Sequence, residues 1–136
     1  MWFKLFMRVQ IFIFRRTNGK SMAFMRGMPI LLLTTMGRKS GKAHTIPLMY
    51  FRDGDCFVIT ASNNGRLRHP AWFHNLKNAG QAEMEIPGKH LMATPTVATE
   101  QEHTRLWPQL VARAPFFEDY QKRASRPIPM VLLRPQ

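Results

Sequence analysis

Short apolar runs separated by turn residues predict that much of the chain forms β-strands. Six such runs, bounded by glycine, proline or Asp-Gly, cover residues 29–35, 44–51, 56–61, 83–86, 90–97 and 128–133. Asp53-Gly54 and Pro87-Gly88 stand between neighbouring runs and predict the turns of two hairpins. Pro47 lies inside the second run. Because proline cannot donate to a ladder, we expect that strand to lie at a sheet edge or to carry a bulge.

Three later segments carry the start and stop signals of helices. The first covers residues 69–79, with a proline near its start and a glycine after its end. The second starts at Thr99, where Glu102 completes a capping box, and we expect Pro108 to interrupt or bend it. The third starts at a proline and covers residues 115–123.

The order of these elements and the length of the chain bound the fold. Strands and helices do not alternate strictly, which favours an α+β barrel over a doubly wound sheet. With 136 residues, of which 45% are hydrophobic, the chain can bury one substantial core. We therefore expect a single domain over residues 1–136, with an N-terminal amphipathic helix at residues 1–16.

Residues 1–16 have the pattern of a basic amphipathic helix. Three cations lie on one side of a helical wheel and four apolar side chains on the other, namely Lys4, Arg8 and Arg15, and Trp2, Phe6, Val9 and Ile13. The stretch is too short to span a bilayer and lacks a signal-peptide cleavage site, so we expect a cytoplasmic protein. The helix either docks across the barrel or lies in the interface at the inner face of the cell membrane.

The charge of the chain predicts an anionic partner. Lys and Arg total 20 against 8 Asp and Glu, which gives a formal net charge of +12. Nucleic acid, an acidic membrane face and a polyanionic cofactor would all be attracted by this field. The sequence has no helix-turn-helix, zinc finger or RNP-like aromatic motif, so we do not expect nucleic-acid binding. The solitary Cys56 cannot form an internal disulfide, which fits a reducing compartment.

The segment Gly37-Arg-Lys-Ser-Gly-Lys42 contains several groups that can bind an anion. It combines three cations, one hydroxyl and two flexible glycines, and backbone amides in such a turn can form an anion site. The spacing of the glycines differs from that of a P-loop. A solvated basic turn is the alternative interpretation.

Catalytic constellations of hydrolases and metalloenzymes are not visible. His69 and His74 are five residues apart, so on a helix they point away from each other, and no cysteine pair or carboxylate completes a metal site. Cys56 lies in a predicted hairpin strand, where a packed thiol is the usual outcome. Trp72, Phe73 and the Phe116-Phe117 pair could stack on a ring system, although aromatic residues at this spacing more often belong to a core.

An ordered set of motifs carries a resemblance that no single motif carries. The set comprises Leu33-Thr-Thr-Met-Gly-Arg-Lys-Ser-Gly-Lys42, Pro47-Leu-Met-Tyr-Phe51, Asp53-Gly-Asp55, Ala61-Ser62, His69-Pro-Ala-Trp-Phe-His-Asn-Leu76, Leu106-Trp-Pro-Gln-Leu110, Asp119-Tyr-Gln121 and Ile128-Pro129. From about residue 28 to residue 135 the chain resembles the deazaflavin-dependent nitroreductase and quinone reductase family. The resemblance implies a six-stranded split β-barrel, of the type that also binds FMN, with flanking helices and coenzyme F-420 as the cofactor.

The resemblance also assigns site residues. Those implied to hold the coenzyme's phosphate and oligoglutamate tail are Arg38, Lys39, Ser40, Gly41, Lys42 and His44. Those implied to surround the deazaflavin ring are Thr45, Ile46, Pro47, Leu48, Met49, Thr60, Ala61, Ser62, Asn63, Ala71, Trp72 and Phe73. The implied acceptor pocket contains Ala114, Phe117 and Tyr120, and the implied proton-transfer residues are Ser62 and Tyr120.

The chain departs from its relatives at several of these positions. His44 stands where relatives often have arginine, and Asn63 where some have lysine. Ala114 and Phe117 replace tyrosines that relatives place over the acceptor. Because these hydroxyls are missing, we expect the acceptor to be held more by shape and stacking than by polar contacts.

The function implied by the resemblance is hydride transfer from reduced F-420 to a quinone-like or nitro-aromatic acceptor. An FMN-binding split-barrel oxidoreductase is the second interpretation, and FMN would lack the long anionic tail. The third is a non-catalytic basic module that binds a membrane or nucleic acid. The sequence does not indicate the oligomeric state.

Overall fold

The computed structural model describes residues 2–136 and shows a curled antiparallel sheet with four helices around it. The helices are α1 (Trp2–Arg16), α2 (Ala71–Ala79), α3 (Glu100–Arg113) and α4 (Phe116–Ala124). The strands are β1 (Phe24–Met25), β2 (Met28–Met36), β3 (Ala43–Met49), β4 (Phe51–Asp53), β5 (Cys56–Thr60), β6 (Ala82–Ile86), β7 (Lys89–Val97) and β8 (Met130–Pro135).

The strand order is β1-β2-β6-β7-β8-β5-β4, and β3 pairs with β2 outside this path. The α+β barrel class is confirmed, but the sheet has eight strands where six were predicted. The predicted run 44–51 divides at Tyr50, because β3 pairs with β2 whereas β4 pairs with β5. β1 is a two-residue strand inside a segment too polar to signal it. β3 is an edge strand, as Pro47 predicted, and Pro47 lies opposite Leu32.

β2 is buried on both faces, which explains its uninterrupted apolar run. Leu31 and Leu33 point into the main core, where they join the buried aromatic residues of α2. Ile30 and Leu32 point the other way and pack against Phe14 of α1. The helix α1 therefore covers a sheet face that would otherwise be exposed.

The helix signals in the sequence are mostly confirmed. Gly80 ends α2 in the left-handed conformation, with φ of 75°. Thr99 and Glu102 form the predicted capping box of α3, with reciprocal distances of 3.2 and 2.9 Å. Of the two effects expected at Pro108, the interruption is wrong, because α3 continues through it to Arg113, and the bend stays a prediction. A proline removes one backbone donor, and buried leucines at 106 and 110 anchor the helix on both sides of it.

The side of α1 that docks on the sheet differs from the apolar side of the predicted helical wheel. Gln10 and Phe14 are buried, while Met7 and Ile11 are half-buried on the same face. Four apolar side chains remain 45–66% exposed, namely Leu5, Phe6, Val9 and Phe12. Met1 and the side chains of Trp2 and Phe3 lie outside the described part of the chain. Between residues 2 and 136, no helix has the length and hydropathy that crossing a bilayer requires.

Candidate functional site

A cavity of about 200 Å³ lies beside β3 and is lined by seven parts of the fold. Four consecutive residues of β3 line it, from Ile46 to Met49, together with Thr60 at the end of β5 and the segment 62–64. The other lining residues are Phe6, Met7, Gln10, Met25, Pro70, Trp72, Phe117 and Tyr120. Most of this lining is apolar, and a few polar groups converge on it, as is usual for sites that bind organic ring systems.

Left-handed backbone shapes the polar side of the cavity after β5. Asn63, Asn64 and Gly65 have φ values of 50°, 55° and 77°, so the chain folds back sharply beside Ser62. Gly65 approaches α4 so closely that a Cβ at this position would lie 3.0 Å from Cα of Tyr120. Glycine is therefore required here, and the contact brings Ser62 and Tyr120 to the same cavity.

Arg126 holds this segment in place from the loop after α4. Its guanidinium donates hydrogen bonds to the backbone carbonyls of residues 61, 62, 66 and 68 at 3.0–3.4 Å. It also donates to Nδ1 of His69 at 2.9 Å, which places the proton of a neutral His69 on Nε2. Burial, followed by the charge of Arg126, lowers the pKa of His69 below its usual value. Both effects favour the neutral imidazole that Arg126 requires as an acceptor.

The hydroxyl of Tyr120 is oriented by Arg26, which lies in the turn between β1 and β2. Arg26 donates from Nη1 to the Tyr120 hydroxyl at 3.1 Å, and its guanidinium lies 3.7 Å from the ring centroid of Phe116. Because the tyrosine oxygen accepts this bond, its own proton remains available for a molecule in the cavity. The position of Arg26 also requires an unusual backbone, with φ of 51°.

The Gly37–Lys42 turn lies at the other end of β3 and is exposed. Arg38, Lys39 and Lys42 form no ion pair with any residue that the structure describes. Several amides of the turn are engaged within the protein, since those of Gly37, Gly41 and Lys42 bond inside the turn and that of Arg38 donates to Asn75. An anion here would therefore meet mainly side-chain cations, with the amides of residues 39 and 40 in addition.

Asn75 of α2 attaches this turn to the body of the protein. It is 5% exposed, donates from Nδ2 to Thr35 Oγ1 at 3.1 Å and accepts from the Arg38 amide at 3.1 Å. The polar residue on the buried face of α2 thus has both of its functional atoms bonded. Its effect is to fix the start of the cationic turn relative to the core.

Ten of the residues predicted for the ring and the acceptor line the cavity, and the other five do not. United at the cavity are Ile46, Pro47, Leu48, Met49, Thr60, Ser62, Asn63, Trp72, Phe117 and Tyr120. Ala114, Ala61 and Phe73 belong to the core, Ala71 is exposed, and Thr45 lines a separate groove beside α1. His44 lies at the cationic turn, where its Nε2 is 3.5 Å from Ser40 Oγ.

Several residues of this site were not predicted from the sequence. Phe6, Met7 and Gln10 reach the cavity only because α1 docks over it. Arg126 and Arg26 had no motif around them. A polar residue on the apolar face of each helix, Gln10 in α1 and Asn75 in α2, was the one signal that the sequence contained.

The chain is similar to proteins of one enzyme family over nearly its whole length. The family model described as F420H(2)-dependent quinone reductase matches residues 6–135. A protein of Mycobacterium tuberculosis described as an F420H(2)-dependent quinone reductase is 39% identical over 132 residues, covering 93% of this chain and 88% of the relative.

Solved structures agree with this assignment. A structure described as an F420-H2 dependent reductase superposes with a TM-score of 0.70 at 31% identity, covering 78% of this chain and 94% of its own. A second, described as a domain-swapped dimer, has a TM-score of 0.73 at 27% identity and covers 98% of this chain and 97% of its own. The split-barrel architecture, the cavity beside β3 and the family match are consistent with one another. The chain belongs to the F420H(2)-dependent quinone reductase family.

Proposed function

We propose that this chain transfers a hydride from reduced coenzyme F-420 to a quinone-like acceptor, with the coenzyme ring in the cavity and its anionic tail along the Gly37–Lys42 turn. The observation that supports this assignment is that the cavity and the Gly37–Lys42 turn lie at opposite ends of β3. Seven strand residues span roughly 20 Å at about 3.3 Å per residue. One extended molecule with a flat head and an anionic tail can therefore reach both.

The residues at each end fit the corresponding part of F-420. At the turn, three exposed cations without carboxylate partners suit a phosphodiester followed by several carboxylates. At the cavity, β3 residues and Trp72 offer apolar surface, while Ser62 and Asn63 offer polar groups at the rim. FMN, which has a single phosphate and no glutamate tail, would leave the cations of the turn unused.

Bound in this orientation, the reduced deazaflavin would supply the hydride, and the protein would supply orientation and a dry environment. Trp72 is 6% exposed and closes one side of the cavity, which limits the access of water. Three residues that line the cavity carry a hydroxyl, namely Thr60, Ser62 and Tyr120, and we assign to Ser62 and Tyr120 the transfer of the proton that accompanies the hydride. The bond from Arg26 leaves the Tyr120 proton free for this purpose.

The acceptor is held chiefly by shape. Phe117 is 3% exposed and lies at the cavity where relatives carry a hydroxyl, so it provides stacking surface without a hydrogen bond. Flat quinones and nitro-aromatic compounds both meet this description. The cavity volume of about 200 Å³ lies below the usual range of ligand sites, roughly 300 to 1,000 Å³, so lining side chains have to move apart when both molecules bind.

The exposed side of α1 supports a peripheral contact with the inner face of the cell membrane. Leu5, Phe6, Val9 and Phe12 are exposed, and Lys4, Arg8 and Arg16 lie exposed on the same helix. An apolar stripe flanked by cations fits the interface of a bilayer that contains anionic lipid. Such a contact would bring the cavity, which Phe6 also lines, to acceptors dissolved in the membrane.

Coenzyme binding is the direct test of the proposed function. We expect saturable quenching of Trp fluorescence by F-420, weaker quenching by FMN, and oxidation of reduced F-420 in the presence of menadione. A preparation that is isolated with bound FMN and does not bind F-420 would contradict the proposal.

Membrane contact has its own test, co-sedimentation with liposomes. Vesicles with anionic lipid should retain the wild-type protein, and the variant Phe6→Ser with Phe12→Ser should remain in the supernatant. Equal retention of both proteins would show that the exposed side of α1 does not make the contact.

A further inference from the structure

The helix α1 places in the cavity a polar side chain to which the reaction described above gives no role. Gln10 is 3% exposed and lines the cavity together with Phe6 and Met7. Its Oε1 is completely buried and has no hydrogen-bond partner among the residues that the structure describes. Within this part of the chain, it is the one buried side-chain oxygen or nitrogen without a partner.

An unpartnered amide at this position opposes folding. Met7, Ile11 and Phe14 share the docked face of α1 with Gln10 and are all apolar, so a leucine or methionine would suit the packing better. Buried polar groups in folded proteins nearly always have a partner, whether a protein group, an ordered water or a bound molecule. The missing partner of Gln10 is therefore expected to enter through the cavity.

The rest of the lining indicates which molecule supplies that partner. The residues assigned to the coenzyme ring lie on β3, at the end of β5 and on α2. The remaining wall comes from α1, from Met25 of β1 and from Phe117 and Tyr120 of α4. This second wall belongs to the acceptor, because α4 carries the residues implied to contact it.

We propose that Gln10 is the specificity-determining residue for the acceptor and forms a hydrogen bond with a ring oxygen of a quinone-like molecule. This inference rests on the proposed function. Reduction of a quinone adds one hydride and one proton, so that both of its carbonyl oxygens become hydroxyl groups. Oε1 is an acceptor and cannot bond to a carbonyl, but rotation of the side-chain amide by half a turn presents its nitrogen as the donor to the carbonyl of the quinone. In the orientation seen in the structure, Oε1 can accept from the hydroxyl of the reduced product. One side chain therefore matches both the substrate and the product.

This hydrogen bond adds a directed polar contact to a wall in which Tyr120 is the other polar lining residue. Phe117 provides no polar contact, and Ala114 is buried away from the cavity. A directed bond from α1 would orient a flat acceptor that stacking alone leaves free to rotate. Acceptors with a ring oxygen should then be preferred over apolar rings of equal size.

The experiment compares Gln10→Leu and Gln10→Met with wild type and with the control Gln101→Leu. Gln101 is exposed on α3, so the control makes the same chemical change on a helix surface. Two quantities are measured without menadione, namely the melting temperature of the free protein and the Kd of F-420 by Trp fluorescence. Two more are measured with menadione, namely its Kd on protein saturated with oxidised F-420 and its KM in turnover. Gln10→Met serves if the branched leucine disturbs the fold.

We expect both Gln10 variants to melt at or above the wild-type temperature and to bind F-420 as wild type does. Their Kd and KM for menadione should rise roughly tenfold. Menadione constants equal to those of wild type would overturn the assignment, as would a lower melting temperature combined with weaker F-420 binding. If the wild-type protein does not bind F-420, the proposed function falls with it; if wild type binds F-420 and only the menadione result is negative, the role of Gln10 alone is refuted.

Discussion

The two ends of β3 are built on different principles. At the cavity, the side chain of Arg126 donates hydrogen bonds to the backbone carbonyls of Ser62 and its neighbours, and Gly65 is in close contact with α4. At the Gly37–Lys42 turn, the cations are exposed and have no carboxylate partner among the residues that the structure describes, and Asn75 is the main link between the turn and the core. The first end positions a ring by rigid geometry, whereas the second attracts a flexible polyanion by charge. The two ends should consequently respond to different perturbations.

The largest effect is expected when the support of the cavity is removed. Arg126→Met would leave several backbone carbonyls of residues 61–68 without their donor, which should lower the free energy of unfolding by about 2 kcal/mol or more. F-420 should bind at least tenfold more weakly because its ring site loses shape. Urea unfolding and fluorescence titration measure the two effects. Arg134→Met, which changes an exposed arginine of β8, is the matched control and should behave as wild type.

Neutralising the cations of the turn should weaken the binding of F-420 and leave the stability of the fold nearly unchanged. Alanine at positions 38, 39 and 42 together should weaken F-420 binding roughly a hundredfold, because charge-assisted contacts with the tail are lost. The free energy of unfolding should change by less than about 0.5 kcal/mol, since surface substitutions of this kind rarely affect it. Binding of FMN should change much less. A wild-type affinity for F-420 that does not fall with added salt would show that the turn does not contact the tail.

Removing one hydroxyl at the cavity should affect turnover alone. Tyr120→Phe should lower kcat about tenfold if this residue donates the proton, while the Kd of F-420 stays the same. Arg26→Met should reproduce part of the loss, because Arg26 orients the hydroxyl. Stopped-flow oxidation of reduced F-420 provides the rate. If kcat is unchanged in Tyr120→Phe, the proton comes from Ser62 or from solvent.

The smallest effect should be a pH dependence of stability that arises at the Arg126–His69 contact. The pKa of His69 is lowered in the folded state, so the folded protein binds fewer protons at this site than the unfolded chain. Its contribution to stability is complete above the unfolded pKa of about 6.5 and is lost as the pH falls towards the lower folded pKa. Melting temperatures at pH 8 and pH 5 should therefore differ more for wild type than for His69→Asn. Equal differences would refute this role of His69.

Local patterns predicted most of the fold. The two hairpin turns, the capping box at Thr99 and the edge position of Pro47 depend on residues close together in the sequence, and all are confirmed. The division of the run 44–51 at Tyr50 could not be predicted, because it depends on which distant strands pair with β3 and β4. The same reason explains why the continuation of α3 through Pro108 was missed, since the burial of Leu106 and Leu110 decides it.

The part of the site that the sequence predicted is the part that lies in recognisable motifs. Residues of β3 and the segment after β5 were identified by resemblance, and ten residues predicted for the ring or the acceptor line one cavity. Ala114 was assigned to the acceptor pocket by the same resemblance and lies in the core. Gln10 and Arg126 were not identified, because their role depends on contacts with residues far away in the chain.

What the sequence determined by itself is most of the strands and helices, the basic turn and the family, because each depends on residue type and short-range order. Only the tertiary structure decided that α1 closes the cavity with Gln10 and that Arg126 supports the segment after β5. These arrangements arise from packing between segments far apart in the chain, as shown by Arg126, whose carbonyl partners lie 58 to 65 residues before it. No local periodicity encodes such contacts, because many sequences with the same pattern could bury their apolar faces in other ways.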